Sequence, residues 1–315
     1  MITTVTLNAA IDRTYWVDRW EKGGVHRVKR EQNEPGGKGN NVAKVVKCLG
    51  GNVQATGFLA GNNGIAIRVG LEDRGISSPF LFIDGESRVC LNIIDDSDGS
   101  STELLERGPE INDLQMQQMM EHLTQLASLS SIVVLSGSLP PGVPMETYRD
   151  LALTVKAAGA QVFLDTSGDA LIAGIESEPD LIKPNEEEIS QLIDLEVVTG
   201  SINEMELATK LVRLAERKTL SRVCITLGSK GAIAYMDGNL YRAYGPSIQP
   251  VNTVGCGDSF LAGMAYAIEQ NSEPAECLRT AIAAATANAL DERAGYVDLD
   301  VFQTVLSQIR IDQWG

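Results

Sequence analysis

Histidine is nearly absent from this chain of 315 residues and its cysteines are not paired, which limits the metal and redox chemistry it can carry. The two histidines, His26 and His122, lie far apart in sequence, and the five cysteines are widely spaced without a CxxC pair. An odd and scattered set of cysteines does not predict a disulfide framework or a zinc site, and it fits a reducing compartment. We therefore expect a cytoplasmic protein without a structural zinc site.

Positive charge is also in short supply, and this excludes two classes of partner. Lys and Arg number 26 against 42 Asp and Glu, so the formal net charge is −16. A field of that sign repels polyanions, so we expect no nucleic acid and no anionic membrane surface among the partners. An anionic substrate would need a locally basic pocket.

Long apolar runs are missing as well. The N-terminal residues MITTVTLNAAIDR lack the pattern of a secretory signal, and the stretch 281–290 is too short and too polar to span a bilayer. The chain does have 43% hydrophobic and 22% charged residues, which is an ordinary globular mixture. Its length is that of one large domain or two ordinary ones.

Short β-branched runs alternate along the chain with longer helical patterns. Strands are predicted at 2–7 and 53–58, with a helix at about 39–49 between them, where apolar residues recur at offsets 0, 3, 4 and 7. The cycle recurs later, and a capping box at Ser201–Glu204 predicts a helix that extends to about Lys218. Helices between strands predict an α/β fold with a mostly parallel sheet covered on both faces.

Two segments, at about 12–32 and 79–106, interrupt this alternation with extended patterns. In the second, residues 88–94 and 102–105 predict a hairpin around the turn 95–99. We expect these strands to form a small second sheet over the main one, as a lid or a dimer surface. The alternative is that they extend the main sheet.

The segment NTVGCGDSF, Asn252–Phe260, has the composition of a phosphoryl-binding loop. Gly255 and Gly257 allow close backbone approach, and the helix predicted to begin near Asp258 offers unpaired N–H groups and the positive end of its dipole. A carboxylate at this position can take a proton from an attacking hydroxyl. The alternative is structural, a glycine-rich loop in which Asp258 caps the helix.

A second glycine-rich segment is EPGGKGNNV, Glu34–Val42. Three glycines in four residues exceed what a simple turn needs, Lys38 brings positive charge, and Asn41 can both donate and accept hydrogen bonds. The segment lacks the spacing and the Ser or Thr of a Walker A loop. These features favour a ligand-binding loop over the alternative, a turn that starts a helix.

Three further segments place polar residues after predicted strands. Asp12 follows the first strand, where a carboxylate can bind sugar hydroxyls or simply be solvated. Asn185 and Glu188 share one helical face, a spacing that suits a hydrated magnesium ion, or else they belong to an acidic helix N-terminus. The turn at Thr226–Gly231 is placed to pass close to nucleotide phosphates.

Seven motifs, taken together and in order, resemble the PfkB sugar kinases of the ribokinase-like superfamily. They are LNxxID, PGGKGxNVA, SGSLPPG, LDTSG, KPNxxE, TLGxxGA and NTVGxGDSF, and they cover nearly the full chain. One such motif has little specificity, whereas seven in order are highly specific. The first three are similar to the hexose-phosphate branch, which includes 1-phosphofructokinase and tagatose-6-phosphate kinase.

The resemblance implies a ribokinase-like three-layer α/β/α sandwich in a single kinase domain, 1–315, with a mostly parallel central sheet and a small β-sheet lid. It implies ATP-dependent phosphorylation of a ketohexose monophosphate, tagatose 6-phosphate or fructose 1-phosphate, to a 1,6-bisphosphate, with Mg²⁺ as the metal. It also implies a homodimer that forms through the lid.

The resemblance assigns roles to matching positions of this chain. Asp258 is similar to the catalytic base, and the anion hole is assigned to Gly255, Cys256 and Gly257. The sugar phosphate is assigned to six residues: Asp12, Arg27, Gly37, Lys38, Asn41 and Arg88. The nucleotide is assigned to another six: Lys183, Asn185, Thr226, Gly228, Gly231 and Asn288. Magnesium is assigned, through water, to Asn185 and Glu188.

The chain departs from the family pattern in ways that leave its substrate open. No lysine follows Arg88 in SRVCLNIID as it does in fructose-1-phosphate enzymes, and this stretch is more similar to tagatose-6-phosphate kinases; His26-Arg27 replaces an Asn-Arg pair. Cys256 stands where the family usually has alanine. At a helix N-terminus its thiol would be activated, or else it is a buried and inert small side chain.

Two alternatives to a hexose-phosphate kinase remain open from the sequence. One is a kinase of an unphosphorylated sugar or nucleoside, which would be favoured if Arg27 and Arg88 both pointed away from the sugar pocket. The other is a non-catalytic sugar-phosphate-binding protein, against which the intact GxGD segment with Asp258 argues.

Overall fold

A computed structural model describes residues 1–193 and 203–314, which form a large sheet, a small sheet and helices on both faces of the large sheet. The strands are β1 (Ile2–Thr6), β2 (Ala10–Val17), β3 (Arg30–Gly36), β4 (Val53–Ala60), β5 (Leu81–Ile83), β6 (Arg88–Asp95), β7 (Ser101–Leu105), β8 (Ile132–Ser136), β9 (Gln161–Asp165), β10 (Leu181–Ile182), β11 (Arg222–Thr226), β12 (Ala232–Met236), β13 (Asn239–Tyr244) and β14 (Arg310–Gln313). The helices are α1 (Lys38–Cys48), α2 (Gly61–Glu72), α3 (Asp113–Ala127), α4 (Thr147–Ala157), α5 (Gly168–Ile175), α6 (Glu186–Ile193), α7 (Glu204–Arg217), α8 (Cys256–Glu269), α9 (Pro274–Ala289) and α10 (Leu299–Leu306).

The large sheet has the strand order β14-β13-β12-β11-β10-β9-β8-β1-β4-β5. Neighbours from β11 through to β5 are parallel, and β12, β13 and β14 add an antiparallel edge. The central strands β1 and β8 are buried along their whole length, as expected for strands covered on both faces. The predicted α/β class with a mostly parallel central sheet is confirmed.

Two hydrophobic cores lie on the two faces of the large sheet. Successive residues of a strand point to opposite faces, so β8 contributes to both cores. Val134 packs in the cluster that contains buried residues of α1, α8 and α9, whereas Val133 and Leu135 pack with buried residues of α3, α4 and α7. This arrangement is the three-layer sandwich.

The small sheet has the order β3-β2-β6-β7, with β2 antiparallel to β3 and parallel to β6. Of the strands in the two irregular segments, β5 alone among the described residues joins the large sheet, where it pairs with β4. Two ion pairs connect β3 to the rest of the protein. Arg30 contacts Glu292 at 2.7 Å and Glu34 contacts Arg74 at 2.6 Å.

Helix α7 begins directly after Asn203, whose side-chain oxygen accepts hydrogen bonds from two backbone N–H groups of the first turn. This is the capping interaction that amide and carboxylate side chains supply to the unpaired donors of a helix start. Ser201, the first residue of the predicted capping box, lies outside the described residues.

The parallel strands present their carboxyl ends at one edge of the large sheet. There β9 ends at Asp165, Lys183 directly follows β10, and β11 ends at Thr226. Ligands of open parallel sheets bind at this edge. In the described part of the chain, no helix is both long and apolar enough to cross a bilayer.

Candidate active site

A cavity of about 680 Å³ lies between the small sheet and the carboxyl ends of the large sheet. It brings together most of the residues that the sequence singled out: Asp12, Gly37, Lys38, Asn41, Arg88, Lys183, Asn185, Glu188, Thr226, Gly228, Gly255, Gly257 and Asp258. Four of the predicted residues do not line it: Arg27, Gly231, Cys256 and Asn288.

Asp258 lies in the first turn of α8 at the floor of this cavity. The helix is preceded by Gly255 in the left-handed conformation (φ 79°), which a side chain would strain, and a Cβ there would lie 3.0 Å from the backbone nitrogen of Gly295. The Asn41 amide donates a hydrogen bond of 2.8 Å to the Asp258 carboxylate. Burial raises the pKa of Asp258, and nearby Lys38 opposes this only in part.

Asn41 has a second polar atom that the protein leaves without a partner. Its Oδ1 is buried and has no hydrogen-bond partner among the described residues. This oxygen lies on the side of Gly295, where a Cβ would be 2.9 Å from it, and it has almost no surface open to the cavity. An unpaired buried acceptor is costly, so the arrangement that holds Asn41 Nδ2 on Asp258 carries a local loss of stability.

Two lysines and a buried aspartate form a charge cluster beside Asp258. Lys38 and Lys183 lie 3.4 and 3.3 Å from the same oxygen of Asp165, which is fully buried. Burial alone would raise the pKa of Asp165, but the two lysine charges outweigh it and hold this pKa below its ordinary value. Asp165 belongs to the motif LDTSG, for which the sequence predicts no role in the site. Its place at the end of a predicted strand was the available signal.

Asp12 lies on β2 and lines the cavity together with Arg88 of the adjacent strand β6. Arg88 is paired with Ala10, which is two residues before Asp12 on β2. Burial raises the pKa of Asp12 to about 6, against the lowering effect of Lys44. The carboxylate is therefore poised to gain a proton near neutral pH, and its ionised form is an acceptor for two hydroxyl groups.

Arg88 has a fixed orientation at the far end of the cavity. Its guanidinium donates hydrogen bonds to the carbonyls of Asn8 (3.1 Å) and Glu106 (3.2 Å) and to the hydroxyl of Ser138 (3.4 Å). It also lines an adjoining cavity of about 470 Å³ beside the SGSLPPG loop. Arg27, by contrast, is exposed in the segment between β2 and β3.

Asn185 and Glu188 hydrogen bond to each other at the start of α6. The Asn185 side chain accepts from the backbone of Glu188 at 2.8 Å, and the Glu188 carboxylate accepts from the backbone of Asn185 at 2.9 Å. This is a capping-box geometry, and it leaves one oxygen of Glu188 outside the box. Over 1–193 and 203–314, no group of three or more His, Cys, Asp or Glu residues is arranged to hold a metal ion.

Gly231 and Asn288 have structural surroundings outside the cavity. A Cβ on Gly231 would lie 2.1 Å from the carbonyl oxygen of Ala243, so this position requires glycine for backbone packing. Asn288 is buried, accepts a hydrogen bond from the backbone of Gly295 (2.8 Å) and donates one to the carbonyl of Val254 (3.0 Å). Asn288 thereby joins the two loops that border the N-terminus of α8.

Cys256 is half-buried and does not line the cavity. Asn288 donates to its sulfur at 3.5 Å, and burial raises the pKa of the thiol. Desolvation disfavours the charged thiolate, so the direction of this pKa shift does not support the expectation of an activated thiolate. The geometry agrees with the alternative reading, a small inert side chain.

Lys44 is a second residue near the site that the sequence did not single out. It is 3% exposed on α1 and donates a hydrogen bond of 2.8 Å to the carbonyl of Ala294, beside Gly255. Burial lowers its pKa, and Glu34 and Asp12 oppose this. A lysine among the apolar positions of a helix carries no local signal of such a contact.

Comparison with known proteins agrees with this geometry. The model of the pfkB family carbohydrate kinases matches residues 5–299. A tagatose-6-phosphate kinase of Staphylococcus epidermidis is 35% identical over 313 residues, which are 99% of each chain. Crystal structures of Escherichia coli phosphofructokinase-2, in complex with potassium and with fructose-6-phosphate, superpose with TM-scores of 0.91 and 0.89 at 26% identity over 98% of each chain. A tetrameric inhibited form of that enzyme superposes with a TM-score of 0.89.

The chain belongs to the pfkB family of carbohydrate kinases. It is a phosphotransferase with an alcohol group as acceptor. Membership of this kinase family implies ATP as the phosphate donor and usually a divalent metal ion. The predicted family and fold are thus confirmed.

Proposed function

We propose that this protein is an ATP-dependent hexose-phosphate kinase that converts a ketohexose monophosphate to a 1,6-bisphosphate, with tagatose 6-phosphate as the first candidate and fructose 1-phosphate as the second. The carrying observation is that one cavity holds Asp258 at a helix N-terminus and, at its other end, the fixed guanidinium of Arg88. The 35% identity to a tagatose-6-phosphate kinase over 99% of both chains supports the order of candidates.

Asp258 acts as the general base in this proposal. Its buried carboxyl has a raised pKa, which makes it a stronger proton acceptor than an exposed aspartate. Asn41 fixes the carboxylate through its hydrogen bond of 2.8 Å. The N–H groups at the start of α8, near Gly255 and Gly257, bind the phosphoryl group as it transfers.

Cations along the cavity compensate the negative charges of both substrates. Lys38 and Lys183 lie near Asp258, where the phosphoryl group transfers, and Arg88 lies where the fixed phosphate of the sugar would bind. These side chains form the basic pocket that a chain of net charge −16 needs. The position of Arg88 favours a phosphorylated sugar over an unphosphorylated sugar or nucleoside, although Arg27 does not reach the cavity.

The nucleotide is assigned to the part of the cavity near Lys183, Asn185, Thr226 and Gly228. The donor set there fits Mg²⁺ that is held mainly by water and phosphate oxygens, because Glu188 has one carboxylate oxygen outside the capping box. When bound, Mg²⁺ would neutralise charge on the phosphates. Asn185 would act on it only through water, since its side-chain oxygen caps α6.

The small sheet is proposed to be both the lid of a single kinase domain and a dimer surface. Every residue of β7, its edge strand, is exposed, including Leu104 and Leu105. An exposed edge with apolar side chains favours pairing with a second copy. Light scattering should show a dimer, and Leu104→Glu should shift it toward monomer; a monomeric wild type would contradict this proposal.

The experiment that tests the function is a coupled assay of ADP release with a panel of acceptors. We expect kcat/KM to be highest for a ketohexose monophosphate, and the panel compares tagatose 6-phosphate, fructose 1-phosphate and fructose 6-phosphate with free sugars and nucleosides. Faster turnover of an unphosphorylated acceptor would contradict the proposal. Tight sugar-phosphate binding without turnover would instead identify a binding protein.

A further inference from the structure

Asp165 is a buried charge beside the site that faces no ligand. It is the last residue of β9, its side chain has 0% exposure, and it does not line the cavity, whereas Lys38, Lys183 and Asp258 do. One of its oxygens contacts both lysines, and the other has no hydrogen-bond partner in the described parts of the chain. A carboxylate is costly to bury, so its retention calls for a reason.

The two lysines reach Asp165 from different elements. Lys38 is the first residue of α1, and Lys183 follows β10, the neighbour of β9 in the sheet. Both ammonium groups also lie near the first turn of α8, which is proposed to bind the transferring phosphoryl group. A Cβ on Gly257 would be 3.3 Å from the nitrogen of Lys183, and the charges of Lys38 and Asp258 influence each other.

The position of Asp165 determines which carboxylate the lysines pair with. Asp258 is the other buried carboxylate near these ammonium groups, and an ion pair with it would occupy the oxygens that must accept a proton. Asp165, which does not line the cavity, forms an ion pair with each lysine, and both lysines line the cavity. The lysines are thereby paired with Asp165 and not with Asp258.

We propose that Asp165 is a positioning residue that holds Lys38 and Lys183 toward the transferring phosphoryl group and keeps Asp258 available as the proton acceptor. The inference rests on the proposed kinase function. It assigns Asp165 no contact with substrate, because its side chain is buried and does not line the cavity.

The charge of Asp165 also acts on Asp258 through space. After burial, Lys38 lowers and Asp165 raises the pKa of Asp258, and Asn41 and Lys183 lower it. Two more charged groups interact with Asp258, Asp12 and Lys44. Removal of the negative charge at Asp165 therefore lowers the pKa of Asp258, and any lysine that moves to Asp258 lowers it further. The acidic limb of the kcat profile then shifts to lower pH.

The test compares Asp165→Asn with a matched control, Asp180→Asn, whose side chain contacts the same strand. Asp180 accepts a hydrogen bond of 2.8 Å from Val162 at the opposite end of β9, so Asp180→Asn disturbs the strand without touching the lysines. We expect Asp165→Asn to lower kcat by roughly 10²-fold, as misplacement of catalytic groups does, with little change in KM. The acidic limb of the kcat profile of Asp165→Asn should lie at lower pH. Asp180→Asn should keep the wild-type kcat and the wild-type acidic limb.

Two outcomes would overturn the inference while leaving the kinase function intact. One is an active Asp165→Asn enzyme with the wild-type kcat and pH profile. The other is a loss of kcat with an unshifted acidic limb, matched by Asp180→Asn, which would indicate a structural role. An inactive wild type with every acceptor would contradict the proposed function itself.

A double variant and a crystal structure extend the test of Asp165. If Asp165→Asn does not fold, Asp165→Asn/Lys183→Met removes both members of a buried ion pair and is compared with Lys183→Met. We expect the double variant to have a lower kcat than Lys183→Met and an acidic limb at lower pH. Identical pH profiles of kcat in these two variants would overturn the inference. A crystal structure of either variant should show Lys38 paired with Asp258, whatever the substrate. Lysines in their wild-type positions overturn the inference.

Discussion

The amide of Asn41 donates a hydrogen bond of 2.8 Å to the carboxylate of Asp258, two residues that are 217 positions apart in the sequence. Asn41 lies on α1 and Asp258 on α8, and the N-terminal turns of the two helices meet at the floor of the cavity. The contact orients the proposed base. It joins the two glycine-rich segments into one site.

Asp258→Asn should lower kcat by roughly 10²-fold or more, because the amide has the same shape but cannot accept the hydroxyl proton. Nucleotide affinity should remain close to that of the wild type in calorimetry. Asp298→Asn is the matched control, since Asp298 caps α10 on the surface and asparagine caps equally well. Near-normal kcat in Asp258→Asn would remove Asp258 from the role of base.

Arg88→Ala should raise KM for the sugar phosphate and leave KM for ATP nearly unchanged. Loss of a hydrogen-bonded charge pair costs about 1.5 to 3 kcal/mol, or roughly tenfold to a hundredfold in KM. Arg149→Ala, which removes an exposed arginine on α4, is the control. Arg27→Ala should have a far smaller effect than Arg88→Ala. Equal changes in both KM values would mean that Arg88 does not bind the substrate phosphate.

Asp12→Asn should stabilise the protein at pH 7 and weaken sugar binding. The pKa of Asp12 is raised to about 6, so the native state binds more protons than the unfolded state between about pH 4 and 6, and stability falls as the pH rises through that window. Removing the charge recovers up to about 3 kcal/mol. Thermal unfolding at pH 7 and pH 4 measures this gain, which should disappear at pH 4.

Asp95→Asn, a variant on the same small sheet, should change the stability at pH 7 in the direction opposite to that of Asp12→Asn. Hydrogen bonds from the Ser97 hydroxyl and the Trp20 backbone lower the pKa of Asp95. A depressed pKa contributes stability above the ordinary pKa and loses it as the pH falls, so Asp95→Asn should destabilise the protein at pH 7. Shifts of the same sign in both variants would contradict this assignment.

Cys256 should remain unmodified when the native enzyme is treated with iodoacetamide, because its side chain is half-buried and the pKa of its thiol is raised. Mass spectrometry of the same sample after denaturation in urea should show alkylation of all five cysteines. Cys256→Ala should keep its activity. Alkylation of Cys256 that inactivates the enzyme, with protection by ATP, would restore the interpretation as a reactive thiol.

Gly231→Ala should destabilise the protein far more than Gly228→Ala. Both glycines have positive φ, but a Cβ at Gly231 would meet the carbonyl of Ala243, whereas at Gly228 nothing lies within 4 Å. The strain of a positive φ alone costs about 1 kcal/mol. Urea unfolding gives the comparison. Equal losses of stability would show that the contact with Ala243 relaxes at little cost.

Local patterns determined most of the secondary structure. The helix predicted at about 39–49 is α1 at Lys38–Cys48, and the strand predicted at 53–58 is β4 at Val53–Ala60. Apolar periodicity and glycine stops act over a few residues, so they can be read without knowing the fold. The α/β class followed because helices that separate strands impose parallel pairing.

The same sequence determined which side chains could form the site, because most of them directly follow a strand or begin a helix. Tertiary structure alone decided how they pair. Asp165 contacts Lys38, which is 127 positions away in the sequence, because the carboxyl end of β9 lies beside the start of α1. Burial raises the pKa of the Cys256 thiol and raises that of Asp12 to about 6. Strand order and desolvation are properties of the packed chain, and no local pattern encodes them.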